Sequence, residues 1–370
     1  MLNQNEIKRF NRQIRLPEFG KEGQEKLREA KVLVVGAGGL GCPAIQYLAA
    51  AGIGKLGIVD FDIVEESNLH RQVLYGINDL GKRKANLAAD KIQEQYPLSE
   101  IIPHAVKLDH QNAVDIINHY DLVLDGSDNF ATRYLVSDAC VLCNKPLVFG
   151  SIYKFQAQLS VFNYNDGPTY RCLYPTPPAP NTVPNCEEAG VLGVLPGIIG
   201  CYMANEAIKI IAEIGDTLSG KLLILDILTM QQDIIKFSVV KKNKQIQQII
   251  PLEDPAIQCV FNGIEFQEIT ASELKAKLDR KENIQIIDVR DPAEYALCNI
   301  GGELIPMDKI INKSEHISMD KEVIVHCHYG IRSKKAIATL MAEKGYTNLV
   351  NLKGGIHAWA TEVDTKMKTY

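Results

Sequence analysis

Cys327 and Arg332 form the clearest nucleophile pattern in the chain. Cys327 directly follows the apolar run 323–326, and Arg332 comes after four intervening residues, just before a stretch with the apolar spacing of a helix. A thiol between the end of a strand and the start of a helix faces backbone amides and the positive helix pole, which favours a nucleophile. Cysteine phosphatases use a longer loop, so the short spacing here predicts a persulfide sulfur at Cys327 rather than a phosphate.

A second pattern is the glycine turn 36–41, which follows an apolar strand-like segment and precedes a helix-like one. Its glycines, Gly36, Gly38 and Gly41, let backbone amides approach a phosphate at a helix N-terminus. Asp60, at the end of the next predicted strand, is placed to hold a ribose hydroxyl. Taken alone, this fingerprint fits a nicotinamide or flavin enzyme as well as an ATP-binding one.

Charged residues around this turn favour a nucleotide triphosphate. Arg12, Arg71 and Lys84 lie near candidate loops or helix starts, and a triphosphate needs several such cations. Asp128 lies just past the predicted strand 122–124. Ligands of open α/β sheets bind at the carboxyl ends of parallel strands, and a magnesium ion fits a carboxylate there. The sequence therefore predicts a site for ATP and Mg²⁺.

The composition is that of a globular protein without a bulk charge for binding polyanions. The 370 residues suggest two or three domains, and 40 Lys and Arg against 45 Asp and Glu give a net charge of −5. This charge predicts binding to neither nucleic acid nor membrane surfaces. The odd count of 9 cysteines, the polar N-terminus, and the glycine and proline breaks in the uncharged run 189–205 predict a soluble, cytoplasmic protein.

Strand and helix signals alternate along the chain, which predicts an α/β fold in two domains. We expect residues 1–245 to form a Rossmann-like ATP-binding domain with a mainly parallel sheet, 246–261 a linker, and 262–370 a small α/β domain. The predicted strands are 31–35, 56–60, 122–124, 146–149, 158–162, 222–227, 284–289, 322–326 and 348–352, and the predicted helices are 43–51, 84–96, 202–214, 271–278 and 333–344. The proline-rich stretch 175–184 is expected to be an extended loop.

Several motifs of the first domain occur in the same order as in a known family. They are Asn11-Arg-Gln13, Gly36-Ala-Gly-Gly-Leu-Gly41, Asp60-Phe-Asp62, Ser67-Asn-Leu-His-Arg-Gln72, Lys84, Asp125-Gly-Ser-Asp-Asn-Phe130 and Cys186-Glu-Glu-Ala-Gly-Val-Leu-Gly193. Over about residues 5–235 the chain resembles the ThiF/MoeB family, bacterial relatives of ubiquitin-activating enzymes. The resemblance implies ATP- and Mg²⁺-dependent adenylation of the C-terminal glycine of a ubiquitin-like sulfur-carrier protein ending in Gly-Gly.

The resemblance also implies roles for individual residues. The implied nucleotide-binding residues are Gly36, Gly38, Gly39, Gly41, Asp60, Asn68, Arg71, Lys84, Asp128 and Arg12. Among them, Asp60 holds the ribose, while Asn68, Arg71 and Lys84 contact the phosphates. Asp128 holds the Mg²⁺, and Arg71 and Asp128 are catalytic because they stabilise the charge that develops on the phosphates. Arg12 is implied to reach the ATP of the other subunit in a homodimer.

The chain departs from this family at its zinc site. Family members commonly bind structural zinc through two Cys-x-x-Cys pairs. Here the first pair reads Thr169-Tyr-Arg-Cys172, and no cysteine lies between Cys201 and Cys259. Four tetrahedral ligands are therefore not available, and no zinc is expected.

The C-terminal domain resembles a second family. The motifs Ile287-Asp-Val-Arg290, Glu294-Tyr295 and Gly354-Gly-Ile-His-Ala-Trp359, together with the Cys327 loop, resemble a rhodanese domain over about residues 262–368. The resemblance implies that Cys327 accepts sulfane sulfur from a desulfurase or thiosulfate, and that loop amides and Arg332 stabilise the persulfide. Cys298-Asn-Ile300 and His328 depart from the usual residues of the family, which affects donor preference.

Cys186 directly follows the proline-rich loop. The resemblance makes it a second reactive cysteine, able to form either a thioester or a disulfide-linked acyl intermediate with the carrier. A loop that can move suits a thiol that must approach an acyl-adenylate.

Together these patterns favour a fused adenylyltransferase and sulfurtransferase that converts a carrier's terminal glycine to a thiocarboxylate, with molybdopterin biosynthesis as the expected pathway. Carriers for thiamine biosynthesis or tRNA thiolation are alternatives with the same chemistry. A nicotinamide-dependent oxidoreductase with a rhodanese-like module is an alternative of another class, disfavoured by the cations at 12, 71 and 84. A non-catalytic carrier-binding scaffold is a third, disfavoured by the intact set of candidate catalytic residues.

Overall fold

A computed structural model describes residues 1–178, 190–249 and 267–367. The chain divides into two compact units, Met1–Glu253 and Asp254–Tyr370. Each unit has its own sheet with helices packed on it, so the predicted α/β fold class is confirmed. Of the predicted linker 246–261, only residues 246–249 lie within the described part of the chain.

The first unit contains eight helices and eight strands among its described residues. The helices are α1 (Gln4–Ile14), α2 (Gly20–Glu29), α3 (Gly41–Ala51), α4 (Lys84–Gln95), α5 (Ala113–Asn118), α6 (Phe130–Leu142), α7 (Tyr170–Leu173) and α8 (Val194–Ala212). The strands are β1 (Lys31–Val35), β2 (Lys55–Val59), β3 (Glu100–His104), β4 (Leu122–Asp125), β5 (Leu147–Tyr153), β6 (Gln156–Phe162), β7 (Lys221–Asp226) and β8 (Gln231–Lys236).

The strands of this unit form one sheet in the order β3-β2-β1-β4-β5-β6-β7-β8. In this order the first five strands, β3, β2, β1, β4 and β5, are parallel. Strands β6, β7 and β8 extend the sheet with antiparallel pairings. Only two residues connect β5 to β6, too few for the crossover that a parallel neighbour needs. The strand order reverses between β1 and β4, and ligands of open α/β sheets bind at the carboxyl ends of the strands at such a point.

Helix α8 begins earlier than the predicted helix 202–214. It starts at Val194, and Pro196 lies in its first turn, where the missing N–H of proline breaks no helical hydrogen bond. By length and composition alone this helix could cross a membrane, and half of it is buried inside the unit. It packs on the sheet so closely that a Cβ at Gly150 would lie 2.4 Å from Met203 Sδ. A core helix of this kind passes the same composition test as a membrane span.

The second unit has a five-stranded, fully parallel sheet in the order β11-β10-β12-β13-β9. Its strands are β9 (Gln267–Ile269), β10 (Gln285–Asp288), β11 (Glu303–Leu304), β12 (Val323–His326) and β13 (Leu349–Leu352). Its helices are α9 (Ala271–Asp279), α10 (Pro292–Leu297), α11 (Ile331–Lys344) and α12 (Gly355–Glu362). Cys327 therefore lies at the carboxyl end of the central strand, immediately before α11.

Candidate nucleotide and sulfur sites

The glycine turn closes tightly against the loop that follows β4. Gly36 has φ +91°, and a Cβ there would lie 3.0 Å from Gly126 O. A Cβ at Gly41 would lie 1.8 Å from Gly36 O. Only glycine fits these two positions, and the side chains of Ala37 and Leu40 between them are buried, so the turn presents mainly backbone at the N-terminus of α3.

Asp60 is held against the glycine turn by backbone donors. Its Oδ2 accepts from Ala37 N at 2.8 Å, and its Oδ1 accepts from Asp62 N at 2.8 Å. Burial raises the pKa of Asp60, while those two N–H groups and the charge of Lys84 act in the opposite direction. Lys84 is buried at the start of α4, with its Nζ 3.4 Å from Asp62 Oδ2. The hydroxyl of Tyr75 donates to Ala37 O at 2.9 Å, which ties the turn to its neighbours.

The segment 67–72 lies over the glycine turn. Arg71 Cγ is 3.5 Å from where a Cβ at Gly39 would lie, and Arg71 Nη1 donates to Ser67 O at 2.9 Å. Asn68 is buried, and its Oδ1 accepts from Glu65 N at 3.2 Å.

Gln72, in the same segment, is 4% exposed and lies beside Gly38, where its Nε2 would be 3.6 Å from a Cβ. Its Oε1 has no hydrogen-bond partner among the described residues. A buried polar atom without a partner, beside a turn rich in glycine, fits a polar ligand there.

Asp128 lies on the loop after β4. Asp125 ends that strand fully buried, and its Oδ1 accepts from Ser127 N at 2.9 Å. Asp128 is exposed two residues beyond Gly126, whose own Cβ would lie 3.4 Å from Gly41 N. The loop carrying Asp128 therefore touches the start of α3. Magnesium is usually held by one or two carboxylates plus substrate phosphates, so this single exposed carboxylate fits it.

The predicted nucleotide residues therefore converge, with one exception. Gly36, Gly38, Gly39, Gly41, Asp60, Asn68, Arg71, Lys84 and Asp128 surround the carboxyl ends of β1, β2 and β4. Arg12 lies exposed in the last turn of α1. Cys186 lies outside the described residues, so its predicted role stays a prediction.

Cys172 belongs to the segment 169–172, where the chain differs from the zinc-binding motif of the family, and its thiol accepts hydrogen bonds from the backbone. Its Sγ accepts from Thr169 N at 3.4 Å and from Val240 N at 3.3 Å. Within 1–178, 190–249 and 267–367, no three His, Cys, Asp or Glu side chains are grouped to hold a metal ion.

The Cys327 loop is a second tight turn before a helix, and the Cys327 thiol lies inside it. Cys327 is 1% exposed, and its Sγ accepts from Gly330 N at 3.2 Å. Gly330 has φ +91°, a conformation that glycine adopts without steric cost. A Cβ at Gly355 would lie 2.4 Å from Cys327 O, and Ile356 N donates to that oxygen at 2.9 Å. The backbone around Gly354 and Gly355 therefore packs directly against the Cys327 loop.

Arg332 is oriented by Glu294, a residue for which the sequence suggested no role. Its Nη1 and Nη2 donate to the two carboxylate oxygens of Glu294 at 2.7 and 2.6 Å. This ion pair raises the pKa of Arg332. Arg290, fully buried, pairs with Asp288 at 2.6 Å and donates to Cys298 O at 2.7 Å, which braces the ends of α10.

Aromatic side chains border the loop on its exposed side. His328 stacks on Tyr329 with ring centroids 4.1 Å apart, and Tyr329 is 48% exposed. Burial, and then the neighbouring His357, lower the pKa of His328 to about 4. His328, which stands where the related family often has a cation, is therefore neutral near pH 7.

The fold and the two loops define a class of protein with two α/β units, one carrying a glycine turn at a helix N-terminus and the other a buried cysteine between a strand and a helix. The ThiF family profile matches residues 10–271, and the rhodanese-like domain profile matches residues 270–362. The chain therefore belongs to the ThiF family and carries a C-terminal rhodanese-like domain, as both resemblances predicted.

Similar full-length proteins agree on the activities. The chain is 43% identical over 385 residues to the probable adenylyltransferase/sulfurtransferase MoeZ of Mycobacterium tuberculosis, covering 100% of this chain and 96% of MoeZ. It is 40% identical over 392 residues to the adenylyltransferase and sulfurtransferase MOCS3 of Drosophila grimshawi, covering 100% of this chain and 87% of MOCS3. The protein is thus an enzyme of the adenylyltransferase and sulfurtransferase class, and the oxidoreductase and scaffold alternatives are set aside.

Solved structures confirm the Rossmann-like fold. A crystal structure of E. coli MccB with MccA-N7isoASN has a TM-score of 0.54 at 21% identity, covering 59% of this chain and 67% of that one. PaaA has a TM-score of 0.55 at 21% identity, covering 64% of this chain and 76% of that one. At such identity the likeness concerns the fold alone.

Proposed function

We propose that the protein adenylates the C-terminal glycine of a ubiquitin-like sulfur carrier with ATP, and then converts that glycine to a thiocarboxylate with sulfur carried on Cys327. Residues 1–245 are assigned the first step and residues 262–370 the second. The observation that carries this proposal is the convergence of the glycine turn, Arg71, Lys84 and Asp128 at one sheet edge. Full-length similarity to two adenylyltransferase/sulfurtransferases supports it.

The adenylation step needs little covalent chemistry from the protein. The carrier carboxylate attacks the α-phosphorus of ATP, the α–β bridging bond breaks, and pyrophosphate leaves. The amides of the glycine turn, with Asn68, Arg71 and Lys84, bind the phosphates and stabilise the charge that develops on them. Asp60 holds the ribose, and Asp128 is the ligand for Mg²⁺, which supplies further charge neutralisation when bound.

The sulfur step begins at Cys327. Its sulfur takes a sulfane sulfur from a desulfurase persulfide or from thiosulfate, with departure of the donor's thiolate or sulfite. The terminal sulfur then attacks the acyl-adenylate carbonyl, and AMP leaves. A thiol then attacks the Cys327 sulfur of the resulting acyl disulfide, so the thiocarboxylate leaves and Cys327 forms a disulfide with that thiol, which a second thiol reduces. Cys186 is proposed as the second cysteine, through a thioester or a disulfide-linked acyl intermediate.

We assign the carrier to molybdopterin biosynthesis, with carriers of thiamine biosynthesis or tRNA thiolation as alternatives. A cytoplasmic homodimer in which Arg12 completes the site of the other subunit accompanies this assignment. Exposure of Arg12 at the end of α1 is compatible with such a contact.

The test is ATP–pyrophosphate exchange with a purified carrier that ends in Gly-Gly. Exchange is expected to require both the carrier and Mg²⁺, and to fall at least about a hundredfold in Asp128→Ala. Asp115→Ala, which removes an exposed carboxylate from α5, is the matched control and should exchange normally. Exchange that survives Asp128→Ala refutes the nucleotide assignment, and mass spectrometry of the three candidate carriers identifies which one gains a thiocarboxylate.

A further inference from the structure

A buried polar chain runs from the reactive sulfur to the edge of the second sheet. Ser333, in the first turn of α11, is fully buried, with its Oγ 3.5 Å from Cys327 Sγ. The same hydroxyl donates to Asn351 Oδ1 at 2.7 Å. Asn351 Nδ2 donates to Glu268 Oε1 at 2.9 Å, and Glu268 pairs with Lys334 at 2.9 Å. These contacts are separate from those of Gly330, Gly355 and Ile356 that hold the Cys327 loop.

The direction of this chain is fixed from its outer end. A carboxylate can only accept hydrogen bonds, so Glu268 must face the amide nitrogen of Asn351. Parallel register sets Asn351 directly beside Glu268, which holds the amide in that orientation. The amide oxygen therefore faces inward, toward Ser333. Because a hydroxyl has a single proton, Ser333 donates either to Asn351 Oδ1 at 2.7 Å or to Cys327 Sγ at 3.5 Å, and the shorter distance favours Asn351.

This arrangement treats the two states of the sulfur differently. A neutral thiol at Cys327 does not need the Ser333 proton, which can therefore stay on Asn351 Oδ1. A thiolate is only an acceptor, so Ser333 must turn its proton from Asn351 to the sulfur, which leaves the buried Asn351 Oδ1 unpaired. No proton travels along the chain, because Ser333 keeps its own and only redirects it.

We infer that Ser333 is a hydrogen-bond switch on the Cys327 sulfur, with Asn351 and Glu268 as positioning residues that bias it toward the thiol. This inference rests on the proposed reactivity of Cys327 and adds the residues that set its readiness. A buried hydroxyl that donates to the anionic sulfur stabilises the thiolate. Asn351 Oδ1 competes for the same proton as a hydrogen-bond acceptor, which opposes that stabilisation.

The test measures the pH dependence of Cys327 alkylation by iodoacetamide in the full-length protein, followed on the Cys327 peptide by mass spectrometry. Ser333→Ala removes the donor, so the midpoint of the pH–rate profile should rise and the rate at pH 7 should fall roughly three- to tenfold. Asn351→Leu frees the Ser333 proton, so the midpoint should fall and the rate at pH 7 should increase roughly two- to fivefold. The two substitutions therefore act in opposite directions, which general loosening of the loop does not produce.

Both substitutions leave the other titratable groups around the sulfur in place. These groups are His326 on β12, His328 on the loop, Arg332 on α11, Glu294 on α10 and His357 on α12. Thr339→Val is the matched control, because it removes another hydroxyl of α11, one that donates to Lys335 O of the same helix at 2.9 Å.

Shifts in the same direction, or shifts no larger than that of Thr339→Val, overturn the inference. If Ser333→Ala does not fold, Asn351→Leu decides alone, since an unchanged or raised midpoint contradicts the switch. Alkylation requires neither a sulfur donor nor a carrier. The switch can therefore fail while sulfur transfer through Cys327 stands, and failure of sulfur transfer would appear in a separate assay.

Discussion

The glycine turn 36–41, here called the nucleotide loop, and the Cys327 loop, here called the cysteine loop, share the same backbone arrangement. Each follows a central parallel strand, turns at a glycine with φ +91° (Gly36 or Gly330), and leads into a helix N-terminus. They differ in what occupies the turn. The first carries no polar side chain and takes its charged groups from neighbouring segments, whereas the second begins with a thiol that is 1% exposed.

The difference matches the proposed roles of the two loops: the first binds a nucleotide, and the second forms a covalent bond to sulfur. An empty turn lets several amides approach a ligand that arrives from solvent, so its partners can be spread over three strands. The buried Cys327 sulfur has its hydrogen-bond partners next to it, Gly330 N in the loop and Ser333 in the next helix, and Ser333 bonds in turn to Asn351 on the adjacent strand. Substitutions in the two loops should therefore have separable effects.

The largest expected effect comes from Cys327→Ser. Sulfur transfer from thiosulfate to cyanide should fall to background, a loss of at least about 10³-fold, because the atom that carries the sulfur is gone. Carrier-dependent pyrophosphate exchange should be unchanged. Thr339→Val, which removes a hydroxyl from α11 of the same unit, is the control and should retain most of the transfer. Loss of exchange in Cys327→Ser would show that the two loops do not act separately.

A smaller effect is expected from Gly41→Ala in the nucleotide loop. The added Cβ would lie 1.8 Å from Gly36 O, so the turn must open, at a cost of about 2–4 kcal/mol in the free energy of unfolding. Pyrophosphate exchange should fall at least about tenfold, with thiosulfate transfer retained. Urea unfolding followed by far-UV circular dichroism measures the stability change.

Gly197→Ala is the matched control within a helix of the same unit. Outside its own helix backbone and its chain neighbours, no heavy atom of the described residues lies within 4 Å of its added Cβ, so this change should stabilise the protein by up to about 1 kcal/mol. Equal effects of the two substitutions would mean that the close contact at Gly41 has no consequence.

The smallest expected effect concerns pH and the cysteine loop. Burial lowers the pKa of His328 from 6.5 to about 4, so between these values the unfolded chain binds the proton that the folded chain excludes. Stability of the second unit should therefore decrease as pH falls from 6.5 to 4. His328→Gln should recover about 1–2 kcal/mol near pH 4.5, a figure reduced for partial solvent screening.

Trp359, the single tryptophan, is buried in this unit and reports its unfolding in urea by fluorescence. Asn312→Gln, at an exposed residue of the same unit that does not titrate, is the control and should leave the slope unchanged. His326, also buried, keeps part of the slope in both variants because burial lowers its pKa too. A slope that is identical in His328→Gln and wild type would contradict the burial argument.

Much of the fold follows from local signals. The glycine turn with its flanking strand and helix, and the strand before Cys327, could be predicted because short apolar runs and glycines specify them locally. Helix α1 was not predicted, although Asn3 and Glu6 form a capping box that the sequence displays. The antiparallel extension β6 to β8 was only partly predicted, because β8 is exposed along its whole length and lacks an apolar pattern.

By itself the sequence determined which chemistries are present and in what order, because each motif is a short run of residues whose types alone restrict what it can do. Only the tertiary structure decided which groups control them. Arg332 meets Glu294 across 38 residues, and Asn351 meets Glu268 across 83. Those pairs depend on the position of α10 and on β9 pairing in register with β13, so they arise from strand order and register rather than from any local pattern.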